Sequence, residues 1–202
     1  MKEDFNNVRE ALLKRGYQVS VFSTAGEAVE YLDEKIDGTS VSFGGSMTLE
    51  ELGLPERLAA HNTIRHLWRK VKGRVISVPL KNEKKSEVYL LSANALSETG
   101  EIINIDGAAN RVSNELYGHK KVYFVIGRNK LEPDYERALW HARNIAAPKN
   151  AKRLEVKTPC SVDGRCHDCS SPQRICRALV VLWERVSACE MEVILIDEDL
   201  GF

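Results

Sequence analysis

Long apolar runs and net charge are both missing from this chain of 202 residues. No stretch approaches the roughly 20 apolar residues that a membrane span requires. The opening segment, MKEDFNNVREALLKRG, is too polar for a secretory signal peptide. Lysine plus arginine equals aspartate plus glutamate at 29 each, so a broad basic face for nucleic acid is not expected. We therefore expect a cytoplasmic protein that neither spans a membrane nor binds nucleic acid.

Cysteine is scarce, but four of the five cysteines fall within seventeen residues, at Cys160, Cys166, Cys169 and Cys176. Disulfides are rare in a reducing cytosol, so thiolates gathered this closely favour a metal centre, either zinc or a [4Fe–4S] cluster. The intervals of five, two and six residues contain one Cys-x-x-Cys pair, but they match neither a zinc ribbon nor the bacterial ferredoxin run. The residues alone leave iron–sulfur, zinc and unliganded thiols open.

Apolar periodicity predicts that helices and strands alternate along most of the chain. A helix from residue 5 ends at Gly16, a strand follows at 18–22, and Thr24 and Glu27 form a capping box that starts the next helix. Further strands are predicted at 39–43, 75–78, 88–93, 101–105, 121–126 and 192–196, and further helices at about 108–117, 133–145 and 174–186. Such alternation indicates an α/β fold with a mixed, mainly parallel sheet flanked by helices.

The middle of the chain departs from this alternation, because a turn at 97–100 predicts a hairpin between the strands at 88–93 and 101–105. We expect one domain over residues 1–202. Its cysteine-rich loop at 159–176 is closed by the last predicted helix and strand.

A short glycine-rich segment follows the strand at 39–43, where open α/β sheets bind ligands. Gly44 and Gly45 let the backbone approach a ligand, and the hydroxyls of Ser46 and Thr48 could cradle a phosphate or carboxylate, with Glu51 as an acid or base. The alternative is a tight turn in which Thr48 caps the next helix together with Glu51. No lysine follows the second glycine and the G-x-G-x-x-G spacing is absent, so no nucleotide cofactor is indicated.

Polar residues also gather at the open end of the predicted hairpin, namely Asn94, Asn104, Asp106, Gly107, Asn110 and Arg111. Arg111 could make a bidentate contact with a carboxylate or phosphate, and Asp106 could act as a base. The structural alternative is that Asp106-Gly107 forms a turn, with Asp106 capping the following helix and pairing with Arg111.

Taken together, the segments at 42–48, 92–94, 104–111 and 143–148 and the cysteine loop resemble the LUD (lactate utilisation) domain family, in its short single-domain branch. The resemblance implies a fold similar to the formyltetrahydrofolate cyclo-ligase, ribose-5-phosphate isomerase and CoA-transferase group, with a phosphate or carboxylate at the glycine loop. It also implies an association with bacterial oxidation of lactate to pyruvate beside iron–sulfur proteins.

The resemblance favours binding of a small organic acid or phosphorylated ligand at Gly44–Thr48, with a [4Fe–4S] cluster that exchanges electrons with an iron–sulfur partner protein. A second hypothesis is a non-redox isomerase, transferase or cyclo-ligase with a structural zinc, in which Glu51 or Asp106 is the acid–base group. A third is a non-catalytic accessory subunit.

Overall fold

The computed structural model describes residues 5–202 except 67, 72–73 and 78–84. Its strands, in chain order, are β1 (Gln18–Phe22), β2 (Ser40–Phe43), β3 (Thr63–His66), β4 (Trp68–Val71), β5 (Arg74–Ser77), β6 (Val88–Leu91), β7 (Ala95–Ser97), β8 (Ile102–Asp106), β9 (Lys121–Gly127), β10 (Leu131–Glu132), β11 (Ala178–Leu182) and β12 (Glu190–Ile196). Its α-helices are α1 (Asn6–Lys14), α2 (Ala25–Lys35), α3 (Met47–Glu51), α4 (Leu54–Ala59), α5 (Asn110–Leu116), α6 (Tyr135–His141), α7 (Ala147–Arg153) and α8 (Pro159–Asp163).

The main sheet has six strands in the order β1-β12-β9-β6-β2-β3. All of its neighbouring strands pair in parallel. A second sheet, in the order β10-β7-β8-β11, contains antiparallel pairs, and β4 and β5 form a separate antiparallel pair. The predicted α/β class with a mainly parallel sheet is therefore confirmed.

Both faces of the main sheet are buried, as parallel sheets require. Along β12, Val193 packs in a cluster with Leu12 of α1, whereas the adjacent Ile194 packs in a second cluster with Leu32 of α2. Successive side chains of a strand point to opposite faces, so one apolar strand supplies both cores.

Local signals place the first helices correctly, apart from one cap. Thr24 accepts a hydrogen bond from the backbone of Glu27 (3.3 Å) and the Glu27 carboxylate accepts one from the backbone of Thr24 (3.1 Å), which confirms the predicted capping box. The prediction that Thr48 caps the following helix is wrong. Ser46 is the N-cap of α3 and accepts from the backbone of Leu49 (3.4 Å), while Thr48 lies buried inside the helix.

Two other predictions fail near the cysteine loop. The predicted helix at 174–186 is wrong, because residues 178–182 form β11 and pair antiparallel with β8. Its apolar spacing suits a helix, but the residues Ala-Leu-Val-Val-Leu also suit an edge strand. Pairing with β8 favours the strand over the helix. The helix predicted to end near residue 145 instead continues through a π-helical turn at Ala142–Ala146 into α7. A π-turn accommodates Pro148, which has no backbone N–H to donate.

The predicted hairpin turn at 97–100 joins β7 to β8, rather than joining a strand at 88–93 to β8. The chain leaves the main sheet after Leu91 and enters the second sheet at Ala95, so residues 92–94 cross between the two sheets. Within the part of the chain that the structure describes, no helix is both long enough and apolar enough to cross a membrane.

Candidate functional site

A cavity of about 400 Å³ lies beyond the carboxyl ends of the main-sheet strands. Gly45 follows β2, Ser92 follows β6 and Lys130 follows β9, and all three line the cavity. The opposite wall comes from the end of β8, from α7 and from the cysteine loop, which contributes Cys176. The glycine loop and the cysteine loop, distant in sequence, therefore border the same cavity.

Basic side chains outnumber acidic ones around the cavity. Its charged lining residues are Arg111, Lys130, Arg153 and Arg174 against Glu50 and Asp106. Although the whole chain is neutral, the cavity thus carries an excess of positive charge, which favours an anionic ligand.

Lys130 lies at the end of a short 3₁₀ turn after β9 and is only 3% exposed. Its ammonium donates to the hydroxyls of Thr48 and Ser92 (both 2.9 Å) and to the backbone oxygen of Ala93 (3.2 Å). All three acceptors are neutral. Burial, assisted by the positive charge of Arg111, lowers the pKa of Lys130 to about 7.

The two terminal nitrogens of Arg111 donate to four neutral oxygen atoms. One terminal nitrogen donates to the backbone oxygen of Ser92 (3.2 Å) and to the Asn104 amide oxygen (2.5 Å), and the other donates to the Asn94 amide oxygen (3.1 Å) and to the backbone oxygen of Ile105 (2.8 Å). The guanidinium therefore joins the end of β6 to β8 and fixes the shape of the wall.

Asp106 lies next to Arg111, with its carboxylate 3.8 Å from the Arg111 Nε. It also accepts hydrogen bonds from the backbone of Ala108 (3.0 Å), Ala109 (2.9 Å) and Arg111 (3.2 Å). These bonds satisfy backbone N–H groups at the start of α5.

Behind this wall, Glu115 of α5 is fully buried and accepts from the Asn104 side-chain nitrogen (2.7 Å). Burial raises the pKa of Glu115 to about 8. The Glu115 Oε1 has no hydrogen-bond partner among the described residues. A protonated Glu115 thus fixes the Asn104 amide, whose oxygen accepts from Arg111 and from the backbone of Asn94 (3.1 Å).

Two more arginines belong to the outer wall. Arg153 of α7 donates from two nitrogens to the Asn150 side-chain oxygen (3.0 and 2.8 Å). Burial lowers the pKa of Arg153, and the charge of Glu50 opposes that shift. Arg174 is fixed within the cysteine loop, where it donates to the backbone oxygens of Cys169 and Cys176 (both 2.7 Å) and pairs with Asp168 (3.0 Å).

All four thiols of the cysteine loop are free. Burial raises the pKa of Cys176 to about 11, and the thiols of Cys160, Cys166 and Cys169 each add to this shift. In the described part of the chain, no group of three or more histidine, cysteine, aspartate or glutamate side chains is arranged to hold a metal ion. The sulfur donor set fits zinc or a [4Fe–4S] cluster chemically.

A family model described as the LUD domain matches residues 5–196, which is nearly the whole chain. The chain belongs to the LUD domain family. A similar solved structure is that of a DUF162 family protein from Deinococcus radiodurans at 1.70 Å resolution, which is 13% identical with a TM-score of 0.50 over 94% of each chain. No curated protein matches.

In this LUD domain, eight of the residues proposed from the sequence line the cavity: Gly45, Ser46, Asn94, Asp106, Gly107, Asn110, Arg111 and Cys176. Gly107 also leaves room for the cysteine loop, because a Cβ there would lie 3.0 Å from the Ile175 backbone oxygen. These placements bring the glycine loop and the polar hairpin end together, while their binding roles stay predictions.

The remaining proposed residues lie behind or outside the cavity wall. Gly44 is buried where a Cβ would lie 2.6 Å from the Tyr89 hydroxyl, Thr48 lies beneath Lys130, and Asn104 lies behind Arg111. The Glu51 carboxylate is exposed and accepts from the backbone of Gly201 (2.7 Å). Cys160, in α8, and Cys166 and Cys169, in the loop after it, do not line the cavity.

Sequence reasoning missed Lys130, Arg153, Arg174, Glu50 and Glu115. One signal was available for Lys130, because it closely follows a predicted strand of a parallel sheet, where ligand-binding residues gather. The fixing of Asn104 by Glu115 depends on burial that no local motif reveals.

Proposed function

We propose that this LUD domain binds a small organic acid or a phosphorylated anion in the cavity, with Lys130 as the principal cationic group. We further propose that Cys160, Cys166, Cys169 and Cys176 hold a metal centre at the cavity rim. An iron–sulfur centre there would serve oxidation of an organic acid such as lactate, together with a redox partner protein.

The observation that carries the proposal is the environment of Lys130. A buried ammonium is costly unless a counter-ion or strong hydrogen bonds compensate its charge. Among the described residues, Lys130 donates only to neutral oxygens. The charge of nearby Arg111 disfavours its protonation, and the negative charge of Glu51 opposes that effect only in part. Because the three bonds to neutral oxygens use all three ammonium donors, an anion would displace one neutral acceptor, and its negative charge would favour the protonated lysine.

The rest of the wall supports this role by holding its shape. Arg111 is oriented by four oxygen acceptors before any ligand arrives, and Asn104 is fixed in turn by Glu115. A preorganised wall reduces the ordering cost of binding.

The metal centre rests on the clustering of thiols beside the cavity. Cys176 borders the cavity, and the other three thiols are near enough to contribute to the raised pKa of Cys176. When bound, an iron–sulfur cluster would supply one-electron chemistry, whereas zinc would stabilise the loop. Arg174, which donates to two backbone oxygens of the loop, would hold the loop against the cavity in either case.

A second candidate is acid–base chemistry without redox, and Lys130 favours it. A lysine whose pKa lies near 7 can exchange a proton at neutral pH. Asp106 suits that role less well, because its carboxylate oxygens already accept backbone hydrogen bonds at the start of α5.

Calorimetric titration with L-lactate, pyruvate and inorganic phosphate tests the anion site. Lys130→Met keeps the side-chain length and removes the charge, so affinity should fall about 10- to 100-fold, the loss expected for one charged hydrogen bond. Lys149→Met, at an exposed position of α7, is the matched control and should bind as the parent does. Equal affinity in the parent and Lys130→Met would contradict the proposal.

Elemental analysis and a visible spectrum of protein purified without oxygen test the metal centre. About four irons per chain, with a brown colour bleached by dithionite, would support the redox function. One zinc without colour would favour the acid–base candidate. Absence of any metal, in the parent as in Cys169→Ser, would contradict the metal centre.

A further inference from the structure

The cavity is larger than a three-carbon acid needs. Its volume is about 400 Å³, and the share of one water molecule in the liquid is about 30 Å³. Lactate or pyruvate, each with only a few non-hydrogen atoms, would leave most of this space to solvent. Ligand sites usually enclose most of the ligand surface, so the dimensions favour a longer molecule.

The cationic groups of the cavity come from different elements, which we group as an inner and an outer place. Lys130 and Arg111 form the inner place. The charge of Arg111 contributes to the lowered pKa of Lys130. Arg153 belongs to the outer one, on α7, where the neighbouring charge that acts on it is Glu50. Lys130 and Arg153 share no hydrogen-bond partner within the described ranges, since Arg153 donates only to Asn150.

Arg153 is suited to receive an anion. Its guanidinium has five N–H donors, and in the described structure they meet a single neutral acceptor, the Asn150 amide oxygen. Arg174 also lines the cavity, but three of its five N–H donors are already engaged by oxygens of the cysteine loop, one of them the Asp168 carboxylate. Arg153, with two donors engaged and no carboxylate partner among the described residues, is therefore the outer cation with more unused donors.

Apolar side chains also contribute to the cavity wall. Met47, Ala147, Leu154, Ile175 and Phe202 line it together with the charged groups. Such a wall accommodates carbon atoms, while the two cationic places accommodate charged ends.

We propose that the ligand of this site carries two anionic groups joined by a short carbon chain, one group bound by Lys130 and the other by Arg153. This inference rests on the proposed anion site and narrows its substrate class to dicarboxylic acids or phosphorylated carboxylic acids. A monocarboxylate fills only the inner place.

The test is calorimetric titration of the full chain with succinate, glutarate, adipate and 3-phosphoglycerate, compared with L-lactate. The best two-anion compound should bind at least tenfold more tightly than L-lactate. Arg153→Gln should weaken that compound tenfold or more and change L-lactate affinity less than twofold. Lys130→Met should weaken both, and Arg137→Gln, at an exposed position of α6, should weaken neither.

The outcomes distinguish the two-anion inference from the anion site on which it rests. Tightest binding within the dicarboxylate series or by the phosphorylated acid supports the inference and identifies the second anionic group. The inference would be overturned if the two-anion compounds bound no more tightly than L-lactate, or if Arg153→Gln left their affinity unchanged. Either result would leave the anion site in place. Failure of every anion to bind the parent protein would overturn the anion site itself.

Discussion

Replacing Glu115 by glutamine tests the buried polar network behind the cavity. Glu115 is fully buried, its Oε2 accepts from Asn104, and burial raises its pKa to about 8 from the ordinary value of 4.5. Glutamine keeps the shape and an oxygen acceptor for Asn104, but it carries no titrating group. The substitution therefore isolates the cost of ionising a carboxyl group in this position.

The direction in which stability changes with pH follows from proton linkage. Between pH 4.5 and 8, folded Glu115 holds a proton that the unfolded chain releases. The stability of the parent protein therefore falls over that interval as pH rises, and the penalty is constant above the folded pKa. One pKa unit corresponds to about 1.4 kcal/mol, so a shift of this size corresponds to about 3 to 5 kcal/mol. Glu115→Gln should gain that amount relative to the parent between pH 4.5 and 8.

Urea unfolding of both proteins at several pH values between 4.5 and 8 measures this difference. The contribution of Lys130 is common to both proteins and cancels in the comparison. Glu136→Gln, at an exposed position of α6, is the control and should follow the parent throughout. A stability difference between Glu115→Gln and the parent that stays constant with pH would refute the assignment of a raised pKa to Glu115.

Three further predictions concern the cavity and its supports. Because Lys130 loses its charge as pH rises through about 7, the affinity for anions measured by calorimetry should fall above that pH, and Lys130→Met should abolish this dependence; a pH-independent affinity in the parent would contradict it. Gly44→Ala should destabilise the protein in urea by about 1 to 3 kcal/mol through overpacking, because its Cβ would lie 2.6 Å from the Tyr89 hydroxyl; unchanged stability would contradict this packing. Gly26→Ala, whose Cβ would meet only the Thr24 hydroxyl at 4.0 Å, should instead raise stability by up to about 1 kcal/mol; a loss of stability there would contradict the open space around Gly26.

The sequence predicts well what local chemistry determines. The first two helices and strands follow from apolar spacing and from the Thr24 capping box, and they place the glycine loop at the carboxyl end of β2. The cap at Thr48 was misassigned because two hydroxyls lie close together, and only burial shows that Thr48 faces Lys130 while Ser46 caps α3.

Contacts between distant segments explain what the sequence could not predict. β11 exists because residues 178–182 pair with β8, and that pairing outweighs helical spacing. The acceptors of the buried Lys130 come from two distant parts of the chain, Thr48 in α3 and Ser92–Ala93 after β6. The closeness of the cysteine loop to the glycine loop likewise arises from tertiary structure alone.

The most direct test of the central claim is a crystal structure of the protein with the tightest-binding anion from the calorimetric series. We expect one anionic group at hydrogen-bonding distance from the Lys130 Nζ, about 2.7 to 2.9 Å for a charged pair. An anion bound elsewhere, with Lys130 still donating only to Thr48, Ser92 and Ala93, would contradict the claim that this cavity is an anion site.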